Sequence, residues 1–210
     1  MKKISFLNLG KHPITNNFLK TNKPKNEFFY NLKLIYHKET KLVSLDNFVP
    51  PKKMFNDKYA HRASASKTMQ EAYKNLAYKI KKKFKPKSIL EIGSNDGVFI
   101  KYFSNINNVG VEPCKNLADL TSKMKIKTYD KFWTFKLSNK ILSKHGKFDI
   151  IYSANTISHI HNLNETFKAI ENSLYPNGIF ILEDPSLLRS LQKLSYDQFY
   201  DEHAYVFSIT

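Results

Sequence analysis

A glycine-containing loop near the middle of the chain has the residue types of a ligand-binding turn. The predicted strand Ser88-Ile89-Leu90-Glu91-Ile92 leads directly into Gly93-Ser94-Asn95-Asp96-Gly97, and the residues that follow are predicted to open a helix. Glycines at a strand-to-helix turn let the backbone approach a ligand closely, and a helix N-terminus supplies unpaired N–H groups. We therefore expect this loop to bind a small ligand.

An acidic residue follows the loop at a separation that has chemical meaning. Glu112 ends the next predicted strand, about 20 residues after Glu91, where nucleotide-binding α/β folds hold a ribose diol with a carboxylate. A dinucleotide-binding loop would read G-x-G-x-x-G, and the spacing here is different. The pattern E-x-G-x-N-x-G is instead similar to the E-x-G-x-G-x-G loop of proteins that bind S-adenosyl-L-methionine (SAM), with Asn95 at the middle glycine.

Alternating strands and helices must position these residues. From Lys67 to Pro86, apolar side chains recur at helical spacing, which predicts one amphipathic helix before the loop. Strands are then predicted at 88–92, 109–112, 126–129, 148–154 and 178–183, and helices at 98–104, 116–124, 134–144 and 163–174. Strands separated by helices of this length predict βαβ units and a parallel sheet, so the fold class is α/β.

The residues before this region have a different pattern. Short apolar segments alternate like the strands of a small sheet, and Pro50-Pro51 adds a rigid extended stretch. We therefore predict a small N-terminal domain over residues 1–66 and a SAM-binding core over residues 67–210.

Composition narrows the classes of partner. The chain has one cysteine, Cys114, so it cannot build a disulfide framework or a cysteine-rich zinc site alone. No apolar run reaches the roughly 20 residues that a membrane helix needs, and no signal-peptide pattern follows Met1, so we predict a cytoplasmic protein without a membrane partner.

The net charge of +16 suggests an anionic ligand. The densest basic run, from Lys79 to Lys87, lies at a helix end without interleaved aromatic residues, which disfavours nucleic acid.

Taken together, the motifs resemble those of the sugar C-methyltransferases of deoxysugar pathways, which methylate a ring carbon of nucleotide-linked keto-hexoses. The matching segments are the loop Glu91 to Gly97, Leu9-Gly10-Lys11-His12-Pro13, Leu42-Val43-Ser44-Leu45, Val49-Pro50-Pro51 with Phe55, Gly110-Val111-Glu112-Pro113, Ala154-Asn155-Thr156-Ile157-Ser158-His159-Ile160, Pro176-Asn177-Gly178, Glu183-Asp184-Pro185 and Tyr196-Asp197-Gln198-Phe199-Tyr200-Asp201-Glu202-His203. The resemblance implies a class I SAM methyltransferase (Rossmann-like) core, SAM as cofactor and a nucleotide sugar as substrate.

The resemblance also implies roles for individual residues. His203 would be the general base that removes the proton beside the ketone, and Glu202 would orient it. Tyr200, Asn155, His159 and Tyr59 would lie around the sugar. The cofactor-binding residues would be Glu91, Gly93, Asn95, Asp96, Gly97, Glu112 and Asn155. The chemistry is also consistent with these roles. A carbon beside a carbonyl is acidic only if the enolate is stabilised, so the site needs hydrogen-bond donors for the enolate and a base with a pKa near neutrality, which histidine provides.

The chain departs from the family pattern in three places. At the positions of the second cysteine pair of the family's zinc domain stand His37 and Thr40, so we expect no metal site. The second tyrosine of the family's Tyr-x-Tyr-x-Ser segment is His61. The family pattern continues beyond Thr210, so we expect a C-terminally truncated or split core, for which a second polypeptide is a candidate partner.

Two alternatives stay open at this point. A degenerate or split protein could keep the methyltransferase fold without activity of its own, and the lost zinc ligands motivate that interpretation. A nucleic-acid methyltransferase is motivated by the charge alone, and salt-sensitive binding to RNA or DNA would support it.

Overall fold

The computed structural model describes residues 2–19 and 27–208. The strands are β1 (Lys3–Pro13), β2 (Phe29–His37), β3 (Val43–Leu45), β4 (Ser88–Ile92), β5 (Asn107–Val111), β6 (Lys127–Tyr129), β7 (Phe148–Ala154), β8 (Leu174–Glu183) and β9 (Tyr205–Val206). The α-helices are α1 (Pro51–Met54), α2 (Lys67–Phe84), α3 (Lys115–Lys123), α4 (Phe135–His145), α5 (Leu163–Ser173) and α6 (Leu187–Lys193). Short 3-10 turns occur at Ala63–Ala65, Ile100–Phe103, Ile157–His159 and Tyr196–Gln198.

The chain forms two compact units, and each is assembled from separate stretches of sequence. The first unit comprises Met1–Phe55, Asn155–His161 and Asp184–Thr210, and the second comprises Asn56–Ala154 and Asn162–Glu183. Sequence analysis placed one boundary near residue 66 between two continuous domains. That division stays a prediction, whereas the compact units interleave along the chain.

The second unit is built on a parallel sheet of five strands in the order β6-β5-β4-β7-β8. Its central strand β4 is buried along its whole length, including the polar residues Ser88 and Glu91, as expected for a parallel strand covered on both faces. Phe99 lies at the centre of the core, with its ring centroid 4.1 Å from Tyr152 and 5.2 Å from Phe103. The predicted α/β class with a parallel sheet is therefore confirmed.

One predicted element of this unit is wrong. The sequence predicted a helix over residues 98–104, and the structure contains only a 3-10 turn at Ile100–Phe103. Phe99, Ile100 and Phe103 are fully buried, and β-branched and aromatic residues have low helix propensity. The low helix propensity of these residue types therefore favours a short turn over a regular α-helix here.

The first unit contains an antiparallel sheet in the order β1-β2-β3-β9. Strand β9, from near the end of the chain, pairs with β3 through Val43 with Val206 and Ser44 with Tyr205. The core of the unit contains Leu34, Leu45 and Phe199 among its buried side chains. Residues 201–203, which shortly precede β9, are also buried.

The described residues contain neither a cluster of metal ligands nor a membrane-spanning helix. Across residues 2–19 and 27–208, no group of three or more His, Cys, Asp or Glu side chains is arranged to hold a metal ion. In the same described residues, no helix is long and apolar enough to cross a membrane.

Candidate active site

The glycine-containing loop turns sharply at the end of β4. Gly93 and Gly97 have φ angles of 76° and 79°, and Asn95 has a φ of 48°. The N–H groups of Gly93 and Ser94 donate to the carbonyl of Val111 at 2.8 and 3.0 Å, which ties the loop to the end of β5. The left-handed backbone at Gly93 and Gly97 is the conformation that glycine adopts without steric cost, as the sequence motif predicted.

Glu112 connects the loop to the adjacent strand end. One carboxylate oxygen accepts from the N–H of Asn95 and the other from the N–H of Cys114, each at 2.9 Å. The residue is only 5% exposed. Burial raises the pKa of Glu112, and the two backbone N–H donors oppose that shift. The Cys114 side chain also donates to this carboxylate. A carboxylate has about four lone-pair sites, so Glu112 is held in place and can still accept a hydrogen bond from a ligand.

Glu91 lies in the same region and is 4% exposed. Its Oε2 atom has no hydrogen-bond partner among the described residues. Burial raises the pKa of Glu91 well above its usual value, and the negative charges of Glu112 and Asp96 add to the shift. A buried carboxylate with an unpartnered oxygen is suited to bind a cationic group, which would repay the cost of desolvation.

The side chains of Asn95 and Asp96 contact a segment that precedes α2. Asn95 accepts from the N–H of Ala63 at 3.0 Å and donates to the carbonyl of His61 at 3.3 Å. Asp96 accepts from the hydroxyl of Ser64 at 2.6 Å and from its N–H at 3.3 Å. The sequence motif predicts that Asn95 and Asp96 bind the cofactor. It does not indicate their hydrogen bonds to residues 61–64, because these join segments that are distant in the chain.

Tyr59 is held at the start of the same segment. Asn116 in α3 donates to the carbonyl of Tyr59 at 2.9 Å, and the Tyr59 side chain is buried. The ring centroids of Tyr59 and His61 are 6.4 Å apart. Sequence analysis selected Tyr59 and missed Asn116 and Ser64, whose roles depend on tertiary contacts.

The first unit brings His203, His159 and Tyr200 together. The ring centroid of His203 lies 4.4 Å from that of Tyr200 and 5.2 Å from that of His159. Phe55 stacks on His159 with a centroid distance of 5.4 Å and an interplanar angle of 11°. Three of the residues selected from the sequence therefore form one cluster of aromatic rings.

The hydrogen bonding of His203 defines its reactive nitrogen. Nδ1 lies 2.6 Å from the backbone carbonyl of Gln198, which can only accept, so Nδ1 carries a proton and Nε2 holds the lone pair of the neutral ring. The side chain is 5% exposed. Burial lowers the pKa of His203, while the Gln198 carbonyl and the charge of Asp201 oppose the shift. Near neutral pH, His203 is thus an uncharged imidazole with a basic Nε2 atom.

The turn that carries His159 is fixed by Asp184. The Asp184 carboxylate accepts from the hydroxyl of Ser158 at 2.8 Å and from the backbone N–H groups of Thr156 and Ile157. Burial raises the pKa of Asp184 to about 6, against the lowering effect of these donors. Asn155, at the start of the turn, is exposed and has a φ of 47°. Sequence analysis quoted Asp184 within a matching segment and gave it no role.

The predicted site residues divide between the two units. Asn155, His159, Tyr200, Glu202 and His203 belong to the first unit, where the Glu202 carboxylate accepts from Nδ2 of Asn16 at 2.7 Å. The loop from Glu91 to Gly97, Glu112 and Tyr59 belong to the second unit. The expectation that Glu202 orients His203 stays a prediction, because the partner defined for Nδ1 is the Gln198 carbonyl.

Comparison with known proteins identifies the class. A family described as "Methyltransferase domain" matches residues 59–210, and a family described as "Putative zinc binding domain" matches residues 1–55. The first match spans most of the chain, and the chain therefore belongs to the methyltransferase domain family. The predicted methyltransferase fold and the predicted cofactor, SAM, are confirmed.

Individual relatives and solved structures match smaller parts of the chain than the family model does. The C-methyltransferase NovU of Streptomyces niveus is 28% identical over 123 residues, which are 58% of this chain and 29% of NovU. A SAM-dependent methyltransferase structure from Archaeoglobus fulgidus has a TM-score of 0.50 at 17% identity and covers 62% of this chain and 61% of that one. The YcgJ structure from Bacillus subtilis has a TM-score of 0.50 at 16% identity, with 66% and 63% covered. The matched region thus spans less than a third of NovU.

The N-terminal family implies zinc, and the residues present do not fit it. Residues 1–55 contain no cysteine, and their histidines are His12 and His37. The Nε2 atom of His37 lies 2.9 Å from the hydroxyl of Ser44, and Nε2 of His12 lies 3.0 Å from the carbonyl of Leu9. The thiolate and imidazole set that zinc prefers is therefore not available in this segment.

Proposed function

We propose that this chain transfers a methyl group from SAM to a ring carbon of a nucleotide-linked keto-deoxysugar, with His203 as the general base. The observation that carries the proposal is the hydrogen bond from Nδ1 of His203 to the Gln198 carbonyl, which leaves Nε2 free to accept a proton. The sugar class comes from the resemblance of the sequence motifs. The relation to NovU, a C-methyltransferase, supports carbon as the acceptor.

Residues of the second unit would hold the cofactor. SAM, when bound, supplies a methyl group on a positively charged sulfur that is open to attack by an electron-rich carbon. Glu91 would bind the amino group of the methionine part, because its buried Oε2 atom lacks a partner among the described residues. Glu112 would accept from the ribose hydroxyls with the lone pairs that its three donors, the N–H groups of Asn95 and Cys114 and the Cys114 side chain, leave unused.

Residues of the first unit would handle the proton. Nε2 of His203 would take the proton from the carbon beside the ketone, and the ring would become an imidazolium. The Gln198 carbonyl and the negative charge of Asp201 both favour that charged form. Burial raises the pKa of Tyr200, which keeps its hydroxyl protonated as a hydrogen-bond donor for the enolate oxygen. His159 and Asn155 are further candidates for contact with the sugar.

Cofactor binding is tested by calorimetry. The purified protein is titrated with S-adenosylhomocysteine (SAH) beside Glu112→Gln and Glu171→Gln, a control on an exposed face of α5. We expect saturable binding that weakens at least about tenfold in Glu112→Gln, since one charge-assisted hydrogen bond contributes about 1.5–3 kcal/mol. Equal affinity in all three proteins would contradict the role of Glu112.

Turnover is tested separately with nucleotide-linked 4-keto sugars. Transfer of labelled methyl from SAM should occur in the wild type and fall about a hundredfold or more in His203→Gln, with SAH affinity unchanged. SAH binding without turnover of any keto-sugar would favour the degenerate or split methyltransferase. Tight, salt-sensitive binding of RNA or DNA would favour a nucleic-acid substrate.

A further inference from the structure

Two residues that follow β1 contact the segment that carries the proposed base. The N–H and the hydroxyl of Thr15 both donate to Oδ1 of Asp201, at 3.2 and 2.5 Å. The side-chain amide of Asn16 donates to Oε1 of Glu202 at 2.7 Å. Each hydrogen bond joins a residue near the start of the described chain to one that lies 186 residues later in the sequence.

The acceptors in these contacts are buried carboxylates. Asp201 and Glu202 are 1% and 2% exposed, and His203 follows them directly. A buried carboxylate is costly unless donors satisfy it, so the position of each carboxylate depends on where its donors lie. Thr15 and Asn16 are neutral donors on a segment anchored by the buried side chain of Ile14.

The backbone around His203 is fixed by strand β3 on one side and by a local turn on the other. The N–H of Leu45 donates to the carbonyl of Ala204 at 3.0 Å, and the N–H of His203 donates to the carbonyl of Tyr200 at 3.2 Å. The Nδ1–Gln198 contact therefore depends on a short segment that is held at Ala204 by β3 and at Asp201 and Glu202 by the residues after β1. A shift of this segment would move the imidazole relative to the Gln198 carbonyl.

We propose that Thr15 and Asn16 are positioning residues for His203, so that the N-terminal sheet belongs to the catalytic apparatus. Residues 1–55, which match a zinc-binding family, would thus contribute hydrogen-bond donors to the catalytic apparatus although they lack metal ligands. This inference rests on the proposed role of His203 as the base, and its experiment includes a readout that does not require turnover.

The experiment compares Asn16→Ala with Asn17→Ala, because Asn17 is the exposed neighbouring asparagine. The titration of the His203 ring is followed by NMR, with the resonance assigned from its loss in His203→Gln. We expect Asn16→Ala to shift that titration by about half a pH unit or more, and Asn17→Ala to leave it unchanged. Melting temperature and SAH affinity are measured in parallel. The SAH affinity should match in the two variants, whereas the melting temperature should be lower in Asn16→Ala because buried Glu202 loses a donor.

Kinetics provides the second readout. In Asn16→Ala, kcat should fall about 10- to 100-fold with little change in the KM for the sugar, since a displaced base lowers the rate of proton transfer more than it weakens binding. If Asn16→Ala fails to fold, Thr15→Val takes its place, because it removes the hydroxyl donor and keeps the N–H donor to Asp201.

The outcomes separate this proposal from the proposed function. A His203 titration and a kcat that are the same in Asn16→Ala and Asn17→Ala would overturn the positioning role while the proposed function stands. A shifted titration in a protein that turns over no keto-sugar would support the positioning role and reject the proposed function.

Discussion

Replacing Gly97 by alanine adds a methyl group where helix α3 leaves no room for it. A Cβ atom at this position would lie 2.8 Å from Cγ2 of Thr121, closer than Cβ atoms approach their neighbours in proteins. The φ of 79° adds backbone strain for any residue with a Cβ atom. Both effects destabilise the folded state, and they can be measured separately.

The expected magnitudes follow from these two causes. An unfavourable backbone conformation costs about 1–3 kcal/mol, and overpacking of a core contact adds about 1–3 kcal/mol. We therefore expect Gly97→Ala to lower the free energy of unfolding by about 2–6 kcal/mol. Gly146→Ala is the matched control, since Gly146 has a φ of 72° and a methyl group added there would meet no heavy atom within 4 Å, so it should show the backbone cost alone.

A second substitution separates the steric part. Thr121→Ser removes Cγ2 and keeps the hydroxyl that donates to Ala118. Combined with Gly97→Ala, it should recover about 1–3 kcal/mol relative to additivity, and combined with Gly146→Ala it should recover nothing. Urea unfolding monitored by the fluorescence of Trp133, the single tryptophan, measures each value. Additive effects of Gly97→Ala and Thr121→Ser would refute the steric reasoning.

Three further predictions concern hydrogen bonding and pH. Asn95→Ala should speed hydrogen exchange at the amide of Ala63, which donates to Asn95, whereas Asn172→Ala should not; equal exchange in both would contradict the contact. Burial lowers the pKa of His203 below its usual 6.5. As the pH falls from 8, kcat/KM should therefore stay constant to about 6.5 and decline only below that pH. A decline of kcat/KM centred above pH 7 would argue against His203 as the base. The pKa of Asp184 is raised from 3.8 to about 6, so the folded state binds more protons than the unfolded state between these values, and this contribution to stability is present below pH 3.8 and lost as pH rises through about 6. Asp184→Asn should remove that part of the pH dependence of unfolding, while Asp197→Asn, at an exposed position, should retain it.

Local patterns predicted much of the second unit. Strands β4 and β7 have the predicted bounds, because short segments rich in apolar residues and bounded by Gly, Pro or Asn are typical of buried parallel strands. Helix α2 begins at Lys67 as predicted, where the hydroxyl of Ser66 accepts from the N–H of Met69 at 3.3 Å. The glycine-containing loop was also predictable, since the left-handed backbone at Gly93 and Gly97 requires a specific residue type.

Long-range contacts were not predictable from the same patterns. The helix predicted over residues 98–104 is a 3-10 turn at Ile100–Phe103, and the aromatic and β-branched residues of this segment have low helix propensity. The side chains of Asn95 and Asp96 hold residues 61–64, and no periodicity or spacing indicates which distant backbone groups an amide or carboxylate will meet.

For the proposed base, His203, the sequence and the tertiary structure likewise supply different information. The sequence alone indicated a glycine-containing loop similar to that of SAM-binding proteins, an acidic residue after the next strand and His203 as a candidate base. The tertiary structure decided that β9 pairs with β3, that Asn16 meets Glu202 and that the Gln198 carbonyl binds Nδ1 of His203. The physical reason is that helix and strand periodicity arises from neighbouring residues, whereas hydrogen bonds between distant segments depend on how the whole unit packs.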